Sequence, residues 1–335
     1  MKHLSLFVRS ALCVAALGLG VSIVSCGGDD TGGTTPDANT GTPDGGGTAN
    51  SGTYNHYATN TLKIGSSPGE ATALAFNIDG KPGNDNSLGT FIAGLNANLM
   101  ADAAIAAALT SGQFVILHSV RADDLVNDPT VSWKVLLGAP QANPKFDGTG
   151  TFTVAPNAPN DAIVNGSIVA GKFTGGPASV TIEIAFIEGA DPIRVKLNAV
   201  RMEANVTATG CTNGRLGGAV EADVLLDDVA PVLATELSAR IAADADCYKP
   251  AAPSDVSGCE SSNATIRGLL DVNPKDGVIS VAEISGEGSV VAVLFTPDVD
   301  ILNAAGQPGT DGVAESVSLA VGFTCVKGTF TVTGE

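Results

Sequence analysis

The sequence predicts a mainly β, sandwich-like fold with inserted helices, an α+β body behind a disordered N-terminal tether. Three observations carry this. Short apolar runs, alternating or continuous, recur beyond residue 54; Gly, Pro, Asn and Asp separate them; and few stretches hold a helical period. With 335 residues and 44% hydrophobic side chains, the chain is long enough for one large or two ordinary domains with a real core.

The strands read in order. Phe114-Val115-Ile116-Leu117 is a continuous apolar run, whereas Val131, Trp133 and Val135 alternate, as do Ile182, Ile184 and Phe186, then Ile193, Val195 and Leu197. Thr151-Phe152-Thr153-Val154 and Thr329-Phe330-Thr331-Val332, each after a glycine, are identical and read as similar strands. Helical period is confined to three places. Leu88, Phe91, Ile92, Leu95 and Leu99 share a face behind a Ser87 cap, and a second helix over 102–110 stops at Gly112. A third starts at Asp227/Asp228, tolerates Pro231 in its first turn and aligns Val232, Leu233, Leu237 and Ile241.

Residues 1–25 read as an export signal. Lys2, His3 and Arg9 precede an apolar run at 11–24, too short to cross a bilayer but suited to a signal core. The run ends Ile23-Val24-Ser25-Cys26, which resembles the lipobox of bacterial lipoproteins. That resemblance implies cleavage before Cys26, acylation of its thiol and new amino terminus, and attachment to the cell envelope through those chains. Several chains together make the anchoring stable. By the same resemblance, Gly27 after the cysteine implies the outer membrane.

Residues 27–53 contain nine Gly, seven Thr, four Asp and two Pro, with no apolar side chain larger than alanine. Such a segment cannot offset its own chain entropy, so 26–53 is expected to be a tether reaching roughly 30 Å. Beyond it, the cysteines suggest a division into a β-rich part, 54–209, and a disulfide-containing part, 210–335. Cys211, Cys247, Cys259 and Cys325 all lie in the latter, and an even number in an exported chain suggests two bridges. Three pairings exist; the short Pro/Ser/Gly-rich span between Cys247 and Cys259 favours that closure, leaving Cys211 with Cys325.

The net charge of −18 argues against nucleic acid or an anionic surface as the folded body's partner, leaving protein or surface partners open. Three acidic loops carry the metal expectation. The stretch from Asp271 to Glu283 resembles the calcium loop of EF-hand and dockerin modules, with Gly277 at the sharp turn and Asp271, Asn273, Asp276, the Val278 carbonyl, Ser280 and Glu283 as ligands. The fit requires one inserted residue in the first half. Ser280 and Glu283 equally form a capping box, which starts a helix without metal. Asn77, Asp79 and Asp85 in one further loop, and Asp298, Asp300 and Asp311 in another, resemble worn versions of secreted Asp-rich calcium loops. The layout as a whole is similar in style to surface lipoproteins of myxobacterial type.

Catalytic patterns are weaker. Gly65-Ser66-Ser67-Pro68-Gly69 has the spacing of a nucleophile elbow, but Pro68 lacks the N–H that would serve the oxyanion, and the segment reads as a turn with no helix after it. His118 ends an apolar run and could meet Asp123 or Asp124 as an oriented base; His56 adjoins the tether. The sequence therefore points to a non-catalytic, lipid-anchored envelope module with calcium as its cofactor. The alternatives are a hydrolase using carboxylates or His118, and a carrier for a hydrophobic ligand.

Overall fold

The computed structural model describes residues 52–99, 101–159, 161–184, 192–249, 251–286, 296–301 and 312–335. Cys26 and nearly all of the expected tether lie outside the described residues, as do Phe186 and Asp311. Strand β1 (Thr53–Lys63) begins where the Gly/Thr-rich composition ends. Gly52 before it lies so close to Ala122 that a Cβ would sit 2.2 Å from that residue's carbonyl carbon.

Eight further strands follow among the described residues: β2 (Val115–Ala122), β3 (Asp128–Gly138), β4 (Ile163–Val169), β5 (Lys172–Gly175), β6 (Val180–Ile184), β7 (Ile193–Thr207), β8 (Gly210–Glu221) and β9 (Ser316–Lys327). Every ladder is antiparallel, in the order β5-β4-β3-β2-β1-β9-β8-β7, and β5 pairs again with β7. Eight strands thus close into a barrel. β6 continues past β5 along the first half of β7, pairing Val180 with Leu197 and Ile184 with Ile193. Between the two halves of β7 the β8 register shifts, and Ala199 takes a φ of 55° there, a bulge that bends the long strand.

The body is mainly β with helices, as the sequence predicts, but its sheet is one rolled surface rather than two packed faces. Alternation on each strand is the same in a sandwich and in a barrel; only the β5–β7 pairing, set by a contact across some thirty residues, decides closure (Lys172 opposite Asn205). Closure removes the sheet edges that a sandwich would leave open. An eight-stranded barrel is just wide enough for side chains to fill it. Tyr57, Trp133, Phe173 and Met202, all fully buried, do so here.

The expected division at residue 210 falls at the first residue of β8, in the tight hairpin from β7 (Thr207 opposite Gly210). The sheet runs straight across it, and residues on both sides form one core. The bridges are Cys211–Cys325, between residues directly opposite on β8 and β9, and Cys247–Cys259.

Helices α1 (Pro68–Leu74), α2 (Ser87–Leu99) and α3 (Ala101–Ser111) link β1 to β2. Leu88, Ile92, Ile105 and Leu109 join the barrel core; the Leu95 and Leu99 side chains lie outside the described residues. α3 stops at Gly112, whose φ of +75° and a backbone carbonyl of Gln141 at 1.7 Å from a would-be Cβ require glycine. The third helix starts earlier than its sequence suggests. A short turn α4 (Ala222–Val224) runs through a π-helical turn, Leu225–Val229, into α5 (Ala230–Ala243). Pro231 has no N–H to continue an α ladder, and the wider π turn just before it absorbs that loss. α6 (Ser261–Leu270) and α7 (Val281–Ser285) flank the loop at 271–283.

The two identical tetrapeptides do not form strands. Thr151 and Thr329 meet in a single parallel bridge, and Phe152, Phe330 and Val332 pack on Ala58, Val115, Leu117 and Leu136, a second core on the outer face of β1–β3.

Candidate functional site

Asp271 and Glu283, the two carboxylates expected to hold a metal in the 271–283 loop, are both buried and both turned to N–H donors. Asp271 follows α6 directly. Its Oδ2 accepts from Nε and Nη2 of Arg267 at 2.9 and 2.7 Å and from the Gly277 N–H, and its Oδ1 accepts from the Asp276 N–H. Arg267, one turn earlier on the helix, is 2% exposed and also donates to the carbonyls of Cys247 and Pro253. Its guanidinium supplies the positive charge that a cation would bring.

Glu283 accepts from the N–H groups of Val272 and Asn273 on one oxygen, and from the N–H and Oγ of Ser280 on the other. The capping box is complete, because Ser280 Oγ accepts in turn from the Glu283 N–H. Desolvation pushes the Glu283 carboxyl up, but the bonds from Ser280, Asn273 and Val272 outweigh it and hold it below its ordinary range. Gly277 sits at the sharp turn with a φ of +85°. Asp276 caps the Val278 N–H, while Asn273 and Val278 face solvent. The loop has the expected shape, yet its oxygens are spent on donors, and this donor set does not fit a calcium ion.

The other two acidic loops, more than two hundred residues apart in sequence, meet. Lys81 Nζ lies 3.5 Å from Asp79 Oδ2 and 3.4 Å from Asp300 Oδ2, and both carboxylates are buried. Asp85 stands beside them, accepting from the Ile78 N–H, and burial followed by the neighbouring Asp79 charge raises its carboxyl above the usual value. Asn77 holds the turn by accepting from Gly80. Asp298, two residues before Asp300, is instead engaged by the N–H and hydroxyl of Ser318. Phe76, Ile78, Val299 and Ile301 pack together beneath, which is what brings the loops into contact. Asp300 Oδ1 is buried without a hydrogen-bond partner among the described residues. One lysine thus faces two buried carboxylates, with a third nearby and one oxygen unused, a set whose hard oxygens suit calcium better than those of the 271–283 loop.

His118 is no oriented base. It points into the barrel, 2% exposed, where the Trp133 indole donates to Nδ1 at 3.1 Å and Thr59 Oγ1 lies 2.7 Å from Nε2. An indole N–H can only donate, so the proton sits on Nε2 and is given to Thr59. Burial depresses its pKa to about 3. The Asp123 N–H donates to Asp128 and the Asp124 carboxylate accepts from Val126 and Asn127, while the two histidine nitrogens are taken by Trp133 and Thr59. His56 stacks on Phe330 and pairs with Glu335 at 2.9 Å.

The Gly65–Gly69 segment, expected as a plain turn, leads into helix α1. Ser67 is its cap, accepting from the Glu70 N–H, with Pro68 at the first helical position. The serine hydroxyl is thereby occupied in starting a helix. Asp244 lies near Cys247 and Cys259, but those sulfurs are joined in a disulfide and offer no thiolate to a metal.

No family model matches this chain, and no curated protein or solved structure is detectably similar to it.

Proposed function

We propose that the mature chain is a non-catalytic module of the bacterial cell envelope, anchored at the outer membrane through acyl chains on Cys26 and carrying its barrel on the 26–53 tether for surface architecture, adhesion or partner binding. The observation that carries the non-catalytic reading is the fate of His118. The residue best placed in sequence to act as a base is neutral, buried and bonded on both nitrogens inside the barrel. The filled interior, with Tyr57, Trp133 and Phe173 fully buried, likewise speaks against a carrier that would hold an apolar ligand at the barrel axis.

Calcium belongs to the same proposal, at the junction of the 77–86 loop with Asp298 and Asp300. Asp79, Asp85 and Asp300 would hold it, neutralising carboxylates that otherwise repel one another in a strongly acidic body. The anchor is tested by growing cells with an alkyne-bearing fatty acid. The wild-type chain takes up the label and Cys26→Ala does not; a mature wild-type chain free of acyl groups overturns the reading. The metal is tested by melting the protein in EGTA and in millimolar calcium, where equal melting temperatures overturn it.

A further inference from the structure

Six arginines stand beyond the tether, and five of them are engaged by the protein itself. Arg121 donates to the Gly52 carbonyl, Arg194 to Glu183, Arg215 to Glu203, Arg240 to Asn263 and Arg267 to Asp271. Arg201 is the exception. It is half-buried, its Nε is buried with no hydrogen-bond partner among the described residues, and it lines an open groove of about 860 Å³ on the outer face of the barrel. Its guanidinium is thus the one among these arginines that the described protein leaves without a hydrogen-bond partner, at the edge of a groove.

The sheet explains why no neighbour among the described residues reaches it. Arg201 stands opposite Gly217 on β8, and on its other flank Gly176 approaches so closely that a Cβ would lie 2.2 Å from the Val200 carbonyl oxygen. Both lateral positions that ordinarily supply a cross-strand partner are therefore bare backbone. Glu203, two residues along the same face, is already committed to Lys172 at 2.7 Å and Arg215 at 3.0 Å. Around this lane stand Asn165, Ser167 and Thr174, whose amide and hydroxyl groups line the groove, with Phe76 at its wall.

We propose that this groove binds a carboxylated sugar, of the uronic-acid class, with the guanidinium of Arg201 clamping the carboxylate. The two Nη nitrogens, which are not buried and have no partner among the described residues, form a planar edge that matches two carboxylate oxygens. A single arginine beside Glu203 in an acidic body balances one negative charge, not the two of a phosphate monoester. The amide and hydroxyls around it suit a ring bearing vicinal hydroxyls. The site stands whether or not the chain is lipid-anchored.

The test is calorimetric titration of the full-length chain with sodium glucuronate, and with glucose and inorganic phosphate as comparators. Glucuronate should bind saturably, at least about tenfold tighter than either comparator. Arg201→Gln should weaken glucuronate by about tenfold or more and Arg201→Lys by less, since lysine keeps the charge but not the fork. Asn165→Asp, nearly isosteric, should weaken it too by placing a negative charge on the wall. Arg194→Gln should leave it unchanged. Absence of glucuronate binding, binding untouched by both Arg201→Gln and Asn165→Asp, or phosphate or glucose binding as tightly as glucuronate would each overturn the proposal.

Discussion

The indole N–H of Trp133 donates to Nδ1 of His118 across the barrel interior at 3.1 Å, and this one bond fixes which nitrogen of the histidine carries its proton. Both residues are buried, and the imidazole also stacks on Phe323 with ring centroids 5.2 Å apart. The first prediction follows from the charge state. The folded pKa of about 3 lies below the ordinary 6.5, so the unfolded chain binds the proton more readily. The stability contributed by the neutral form is present above 6.5 and lost as pH falls towards 3, by at most about 1.4 kcal/mol per pH unit. In urea titrations from pH 7 to 4, wild type should lose stability relative to His118→Gln. A constant difference between the two across that range refutes the buried neutral histidine.

Arg267 and Asp271 form a buried ion pair with two further carbonyls on the guanidinium. Removing one partner strands the other charge, so Arg267→Met should cost about 3–5 kcal/mol, and Arg267→Met with Asp271→Leu should recover part of it. Chemical denaturation of the two variants measures this. Losses that simply add would show that the residues do not act as a pair.

Lys81 is the cation now facing Asp79 and Asp300. In Lys81→Met those carboxylates lose their ammonium, so the melting temperature in EGTA should fall below wild type, and added calcium should raise it by more than it raises wild type. Asp300→Asn should abolish the calcium response. Differential scanning fluorimetry reads all three, and a Lys81→Met protein indifferent to calcium excludes this junction as the metal site.

The two disulfides close loops of unequal length, 114 and 12 residues apart in sequence. On chain-entropy grounds, removing Cys211–Cys325 with paired alanines should cost about 2 kcal/mol more than removing Cys247–Cys259. Guanidinium midpoints of the two double variants compare them directly; an equal or reversed order means that the denatured chain is not constrained as a simple loop.

Local pattern was enough for much of the molecule. Alternation at Val131, Trp133 and Val135 reports a half-buried strand, Gly112 marks a helix end through its own backbone preference, and Gly277 with Ser280 and Glu283 marks a sharp turn leading into a capped helix. The Asp271–Glu283 stretch shows where this kind of reading stops. A calcium loop and a capped turn demand the same residue types at nearly the same spacing, and the choice was made by Arg267, whose long side chain folds back along α6 into the place of a cation.

The same holds for the sites that matter most to function. Lys81 and Asp300 are 219 residues apart, and nothing in either loop reveals that they share one charge balance. Arg201 looks like any outward-facing residue of a strand until the β5–β7 pairing rolls the sheet and sets glycines on both its sides. Periodicity, capping and turn chemistry act over a few neighbouring residues, so they are written along the chain. Closure, ion-pair partnership and the isolation of a single guanidinium depend on which distant segments end up adjacent, and that is settled only when burial of the whole core selects one register among many of similar local quality.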